Sequence, residues 1–170
     1  MTAARQQRKP PLRFRALPRM AFGAGIFMLL FMPVVLRAAT DNQLTVNPQS
    51  GLAISGFDPV AYFTDGKAVF GQPEIELNLD GAIWRFSNEG NRGAFGGHPE
   101  VYAPRFGGYD AVAIGLGRSV PGHPLLWVVV GERLYFFYSE KSRAAFLADT
   151  GRLIDSAERK WPEVARTLGE

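Results

Sequence analysis

The chain has 170 residues, enough for one domain, and it contains no cysteine. This composition excludes a disulfide framework, a thiolate metal site and thiol redox chemistry. The formal net charge of +3 does not indicate nucleic-acid binding, because seven basic residues precede Thr40 and no acidic residue precedes Asp41. The positive charge therefore belongs to the N-terminal segment, and no nucleic-acid partner is expected.

An apolar run, Met20 to Leu36, follows this basic stretch and is followed by Ala38-Ala39. The order of basic, apolar and small residues is typical of a secretory signal peptide. An uncleaved membrane anchor is the alternative, because the small-x-small rule for cleavage is poorly met. A buried core helix is disfavoured, since the flanking positive charges would serve no purpose there.

The predicted organisation has three parts. Residues 1–40 form the signal peptide or anchor, residues 41–51 a polar linker, and residues 52–165 the folded domain. The positive flank stays on the cytoplasmic side of the membrane. We therefore expect an exported protein, either periplasmic or attached to the cytoplasmic membrane through its N-terminal segment.

The first half of the domain contains the signals of a helix and a hairpin. Asp58-Pro59 predicts the cap and the first residue of a short helix that ends before Asp65-Gly66. Glu74 to Leu79 alternates between polar and apolar residues, which predicts a strand with one buried face. Asp80-Gly81 predicts the hairpin turn, and Ala82 to Phe86 the partner strand.

The segment after this hairpin is predicted to be mixed. Ser87 or Asn88 caps a helix that stops near Gly97. Residues 99–108 are too rich in proline and glycine for regular structure and are predicted to be a loop. Residues 111–115 fit either a short strand or a helical turn.

A second hairpin is predicted from residues 125–130 and 134–138, with Gly131-Glu132 as its turn. Ser139 caps the helix that follows, and Gly151 stands where a C-terminal cap is expected. A last helix, 152–160, is predicted to end before Pro162.

The two predicted hairpin–helix junctions are similar in sequence. Residues 86–95 align without gaps on residues 137–146, with five of ten positions identical at an offset of 51. Either a duplication or the shared chemistry of strand–cap–helix junctions explains this similarity. In both cases two such units predict one small α+β domain. The residues expected to form its core are Ile75, Leu77, Leu79, Trp84, Phe86, Phe95, Trp127 and Phe146.

Several motifs in order carry a resemblance to a known family. They are Gly56-Phe57-Asp58-Pro59-Val60-Ala61-Tyr62-Phe63, Trp84-x-Phe86-Ser87, Asn91 to Phe95, Pro99-x-x-Tyr102, Gly107-Gly108-Tyr109, Leu134-Tyr135 and Trp161-Pro162. From Leu52 to Trp161 the chain resembles the exported YHS domain-containing (seleno)proteins of bacteria. The resemblance implies a small α+β domain with hairpins and short helices and implies no known reaction.

The family carries cysteine or selenocysteine where this chain has Asp110. The metal binding that cysteine suggests in related YHS modules is therefore not implied here. Three roles remain open for Asp110: a general base or metal ligand, a cap of residues 111–115, or a solvated loop residue. Gly107 and Gly108 permit a close approach of the backbone, and Arg105 is a cation that could pair with Asp110 or with an anionic ligand.

His98 and His123 are the only histidines, and each precedes a proline. Together with Asp110 they could form a two-histidine, one-carboxylate metal site, although no spacing requires them to meet. A surface position for both histidines is favoured, and no cofactor is expected.

The predicted candidates for ligand binding lie mostly in the glycine-rich segment. They are Asp58, Tyr102, Arg105, Gly107, Gly108, Tyr109 and Asp110. The sequence favours a non-catalytic ligand-binding or accessory domain of the cell envelope, whose partner is a small molecule or an envelope protein. The alternatives are a metal- or cofactor-dependent enzyme that uses Asp110 with His98 or His123, and a structural envelope protein.

Overall fold

The two predicted hairpins form the framework of the fold. A computed structural model describes residues 44–46 and 48–169, which belong to the compact unit Ala38–Glu170. The predicted leader, residues 1–40, lies outside the described residues. Strand β1 (Gln72–Leu79) pairs antiparallel with β2 (Ala82–Phe86). Strand β3 (His123–Val130) pairs antiparallel with β4 (Arg133–Phe137).

Each hairpin turns through two residues with positive φ. These are Asp80 and Gly81 in the first hairpin, and Gly131 and Glu132 in the second. Such two-residue turns match the twist of antiparallel strands, which explains the strength of the Asp-Gly signal in the sequence.

Six α-helical segments complete the described fold. They are α1 (Ala61–Thr64), α2 (Glu89–Gly97), α3 (Pro99–Tyr102), α4 (Ala111–Gly115), α5 (Glu140–Ala148) and α6 (Thr150–Leu168). The predicted caps are present, since Asn88 accepts the Asn91 N–H at 2.8 Å and Ser139 accepts the Ser142 N–H at 3.2 Å. The prediction of a small α+β domain with two hairpins, each followed by a helix, is confirmed. No helix in the described part of the chain is both long and apolar enough to cross a bilayer.

Two helix predictions are wrong. The predicted loop, residues 99–108, contains α3, because Pro99 occupies the first helical turn where its missing N–H costs nothing. The predicted break at Pro162 is absent, and Gly151 lies in the first turn of α6 rather than at the end of α5. Helix α6 continues through Pro162 because it buries Ala157 before the proline and Val164 after it in one cluster.

The same backbone conformation occurs twice along the chain. The bulge between Gln72 and Glu76 recurs between His123 and Trp127, and all four strands keep the offset of 51. A rare left-handed turn precedes each hairpin. Its residues have φ values of 41°, 57° and 78° at 54–56, and 54°, 59° and 84° at 106–108. The similarity seen in the sequence therefore extends over residues 54–97 and 106–148, as two copies of one structural unit.

The second hairpin lies between two apolar clusters. Leu134 and Phe136 pack into the first cluster, around Trp84, Phe86 and Phe95, and their neighbours on β4 pack into the second. The alternation of side chains along a strand makes this possible, because successive residues face opposite sides.

The residues of the predicted core are unequally buried. Trp84, Phe86, Phe95 and Phe146 are fully buried. The other four predicted core residues, Ile75, Leu77, Leu79 and Trp127, are half-buried and pack against the first cluster. Part of the predicted linker also joins this cluster through Leu44 and Val46.

Candidate functional site

Asp110 is buried, with only 2% of its surface exposed, and caps helix α4. Its Oδ1 accepts the Val112 N–H at 2.8 Å and the Ala113 N–H at 2.9 Å. The same oxygen accepts the Ser142 hydroxyl at 2.8 Å, and Oδ2 accepts the Tyr138 N–H at 2.7 Å. Of the three roles open in the sequence, the geometry is that of a cap. The carboxylate also ties α4 to the end of β4 and to the start of α5.

Asp58 makes the equivalent contacts in the first repeat and is fully buried. Its Oδ1 accepts the N–H groups of Val60 and Ala61 at 2.9 and 3.3 Å. Its Oδ2 accepts the Ser87 N–H, the Ser87 hydroxyl and the Asn91 side-chain amide at 2.7–2.8 Å. The equivalence of Asp58 and Asp110 was not predicted from the sequence. The recurrence of Gly56-Phe57-Asp58-x-Val60-Ala61 as Gly108-Tyr109-Asp110-x-Val112-Ala113 is the signal that would have found it.

The chemistry open to these two carboxylates is limited by their bonds. A general base or a metal ligand needs a lone pair directed at a substrate or an ion. Each oxygen of Asp58 and Asp110 instead accepts one to three hydrogen bonds from the domain itself. Their arrangement serves to hold strand ends against helix starts.

The remaining polar candidates contact residues other than Asp110. Arg105, for which the sequence left open a pairing with Asp110 or with an anionic ligand, forms an ion pair with Glu158 at 3.0 Å. His98 lies 3.4 Å from Glu100 and is exposed, and the exposed His123 accepts the Leu125 N–H at Nδ1. Among the described residues no three metal-ligating side chains lie together.

A cleft of about 360 Å³ lies beside Tyr109. Its walls come from residues 44–46 and Pro48, from the first left-handed turn and from the second repeat. The lining residues are Leu44, Thr45, Val46, Pro48, Ile54, Ser55, Tyr109, Pro121, Gly122, Pro124 and Phe136. Tyr109 was predicted as a pocket residue and lines this cleft. Tyr102, predicted with it, packs edge-on against Phe63 at 5.4 Å instead.

The two glycines of the predicted site shape the wall of the cleft. The Gly107 carbonyl accepts both the N–H and the hydroxyl of Thr45, at 2.8 and 3.1 Å. Gly108 has a φ of 84°, and a Cβ on it would lie 2.6 Å from the Thr45 hydroxyl oxygen. Glycine at 108 therefore allows the segment of Leu44 to Val46 to lie against the second repeat.

Strained backbone also lines the cleft. Ile54 and Ser55 have φ values of 41° and 57°. Left-handed backbone costs roughly 1–2 kcal/mol for an ordinary residue, and a β-branched residue such as isoleucine adopts it very rarely. The same left-handed turn recurs at residues 106–108, so this strain belongs to the repeated unit and the surrounding structure maintains it in both copies.

Tyr109 supplies a ring and a hydroxyl to this surface. Burial raises the pKa of the Tyr109 phenol, so the hydroxyl stays protonated and neutral at physiological pH. Trp161 packs against the ring, with the two centroids 6.3 Å apart. None of the lining residues carries a charged side chain.

The chain matches no model of a known protein family, no curated protein and no solved structure. The resemblance to the exported YHS proteins rests on the sequence motifs given above. The internal repeat supplies a further comparison, since each feature of the second copy can be set against the first.

Proposed function

We propose that this protein is an exported, non-catalytic binding domain that holds a small molecule in the cleft beside Tyr109. The observation that carries the proposal is the contrast between the two buried carboxylates and the cleft. Asp58 and Asp110 direct their oxygens to the domain's own donors. The cleft, in contrast, has an uncharged lining and a volume within the range of ligand pockets.

The lining residues favour binding over catalysis. Acid–base or nucleophilic catalysis requires a titratable side chain beside the reacting group. The hydroxyl groups of the cleft belong to Thr45, Ser55 and Tyr109, and no histidine, carboxylate or lysine lies among the lining residues. A hydroxyl without an adjacent base is a weak nucleophile and a good hydrogen-bonding group.

The proposal also places the domain in the cell envelope. The basic stretch and the apolar run before Ala38-Ala39 favour export, and the motifs from Leu52 to Trp161 favour a YHS-type domain. In this variant Asp110 takes the place of the family's chalcogen. The domain would then lie outside the cytoplasm, released or attached through its N-terminal segment.

Native mass spectrometry with elemental analysis tests the proposal on full-length protein purified from its own host. We expect one small organic molecule per chain. Tyr109→Ala should lose this molecule, whereas the control Tyr138→Ala should keep it, because Tyr138 is 67% exposed and does not line the cleft. A stoichiometric metal that disappears in Asp110→Ala would instead support the metal-dependent enzyme.

A further inference from the structure

The first repeat contains an aromatic stack that the second repeat lacks. Phe57 and Phe70 are bridge partners whose rings stack with centroids 4.0 Å apart and an angle of 26° between their planes. In the second repeat the equivalent bridge joins Tyr109 to Pro121. Pro121 has no aromatic ring to stack on Tyr109 as Phe70 does on Phe57.

The backbone around the two pairs is the same. The Asp58 N–H bonds to the Val69 carbonyl at 2.8 Å, and the Asp110 N–H bonds to the Val120 carbonyl at 2.8 Å. The next backbone hydrogen bond is also kept. The Gly71 N–H donates to the Gly56 carbonyl at 2.9 Å, and the Gly122 N–H donates to the Gly108 carbonyl at 3.0 Å. The two copies therefore differ here in side chains, and the cleft lies against both Tyr109 and Pro121.

We propose that the cleft binds an uncharged aromatic compound whose ring stacks on Tyr109, at the place that the Phe70 ring takes on Phe57. This inference rests on the proposed function and adds the chemical class of the ligand. Aromatic rings prefer offset or tilted contacts with another ring, and Tyr109 offers such a surface at the cleft.

The lining side chains determine the charge of the ligand. Burying a charged group without a partner is costly, and none of the lining residues is charged. The polar side chains are the hydroxyls of Thr45, Ser55 and Tyr109, and within the described residues the Tyr109 hydroxyl has no hydrogen-bond partner. A neutral ring with one hydroxyl, carbonyl or N–H group fits this set.

The volume determines the size of the ligand. The cleft holds about 360 Å³, which is roughly a dozen water volumes. A ligand of one ring or two fused rings fits within this space. A ligand of roughly ten heavy atoms that contribute about 0.8 kcal/mol each would bind with a dissociation constant of about 1 μM.

Isothermal titration calorimetry of the full-length protein with a matched set of probes tests the inference. Indole and 4-methylphenol are the neutral aromatic probes, indole-3-carboxylate is the charged one, and cyclohexanol is the saturated one. We expect indole and 4-methylphenol to bind at one site, and the charged and saturated probes to bind at least tenfold more weakly.

The variant Pro121→Phe tests whether indole binds in the cleft. The new ring should stack on Tyr109 as Phe70 stacks on Phe57 and reduce indole binding at least tenfold, while the protein stays folded. The matched control, Phe70→Ala, alters the first repeat outside the cleft and should leave indole binding unchanged. If Pro121→Phe does not fold, Tyr109→Leu provides the second variant, because it removes the stacking surface and should also lose indole binding.

The results of these titrations distinguish a failure of the aromatic ligand class from a failure of the proposed binding function. If the charged or saturated probes bind as tightly as indole and lose binding in the cleft variants, the aromatic class is refuted and the binding domain stands. If Pro121→Phe folds and binds indole with unchanged affinity, the proposed position of the ligand ring on Tyr109 is refuted. If no probe binds and the native protein carries no small molecule, both proposals fail.

Discussion

Removal of the Asp110 side chain is expected to destabilise the domain strongly. Asp110→Ala deletes the cap of α4, which costs about 0.5–2 kcal/mol, and leaves the Tyr138 N–H without its acceptor, which costs about 1–3 kcal/mol. The Ser142 hydroxyl also loses its bond. We expect the free energy of unfolding to fall by about 3–5 kcal/mol, a large part of the typical ~5–15 kcal/mol of a folded domain.

Asparagine at the same position separates the two functions of the carboxylate. Asp110→Asn keeps one oxygen for the N–H groups of Val112 and Ala113 but turns an amide donor toward the Tyr138 N–H. We expect a loss of about 2 kcal/mol. The control Asp149→Asn changes a partly exposed carboxylate that pairs with Arg152 and should alter stability by less than about 0.5 kcal/mol.

Urea unfolding at pH 7, followed both by tryptophan fluorescence and by far-ultraviolet circular dichroism, measures these changes. Asp58→Asn should resemble Asp110→Asn, because Asp58 makes the equivalent bonds in the first repeat. The reasoning is refuted if Asp110→Ala unfolds within about 1 kcal/mol of the parent protein, since at least two buried bonds would then contribute nothing.

Three further changes test the packing and ionisation of the fold in the same unfolding assay. Gly71→Ala should lower the free energy of unfolding by about 1–3 kcal/mol, because the new Cβ would lie 2.3 Å from the Arg85 carbonyl carbon. The control Gly93→Ala, whose Cβ would have no atom within 4 Å, should stabilise α2 by about 0.5–1 kcal/mol. Equal effects of the two changes would contradict the close approach of Gly71 to Arg85. Pro162→Ala restores a backbone N–H inside α6 and should stabilise the protein by about 1–3 kcal/mol; a loss of stability would count against an uninterrupted α6. Burial, followed by the nearby Asp58 carboxylate, raises the pKa of Tyr62 above its ordinary 10.0, so the unfolded chain loses this proton first as the pH rises. The free energy of unfolding should therefore decrease above about pH 10, and a constant value between pH 9 and pH 12 would disprove this.

Local chemistry accounts for the elements that the sequence predicted well. Asp80-Gly81 favours a tight turn, and Asn88 and Ser139 provide oxygens for the first free N–H groups of α2 and α5. These interactions involve residues at most three positions apart. Their presence therefore depends little on the rest of the fold.

Long-range packing accounts for the helix that the sequence predicted wrongly. Pro162 removes one hydrogen bond of α6, and local propensity alone favours a break there. Ala157 and Val164 are buried in the second cluster, on either side of the proline. Their burial offsets the missing bond, and no window of sequence around Pro162 reveals the surfaces that bury them.

The role of Asp110 could be predicted only in part for the same reason. Its bonds to Val112 and Ala113 are local and follow from the preference of aspartate for caps. Its bonds to Tyr138 and Ser142 span 28 and 32 positions, and through the Tyr138 bond the second oxygen also accepts a hydrogen bond from the domain. A sequence with one cap signal leaves open whether the second oxygen is available for chemistry.

Divergence between the two repeats explains why the cleft lies beside Tyr109 and not beside Phe57. In the first repeat Phe70 covers Phe57, and Arg85 bonds to Glu76 at 2.8 Å. The equivalent positions in the second repeat hold Pro121, which has no aromatic ring to stack on Tyr109, and Phe136, which is buried between the hairpins and adds an apolar wall. The same backbone thus carries a filled, charged surface in one copy and an open, uncharged one in the other. Because both aspartate caps are retained while these side chains differ, the caps are explained by folding, and the space beside Tyr109 is where we propose that the ligand binds.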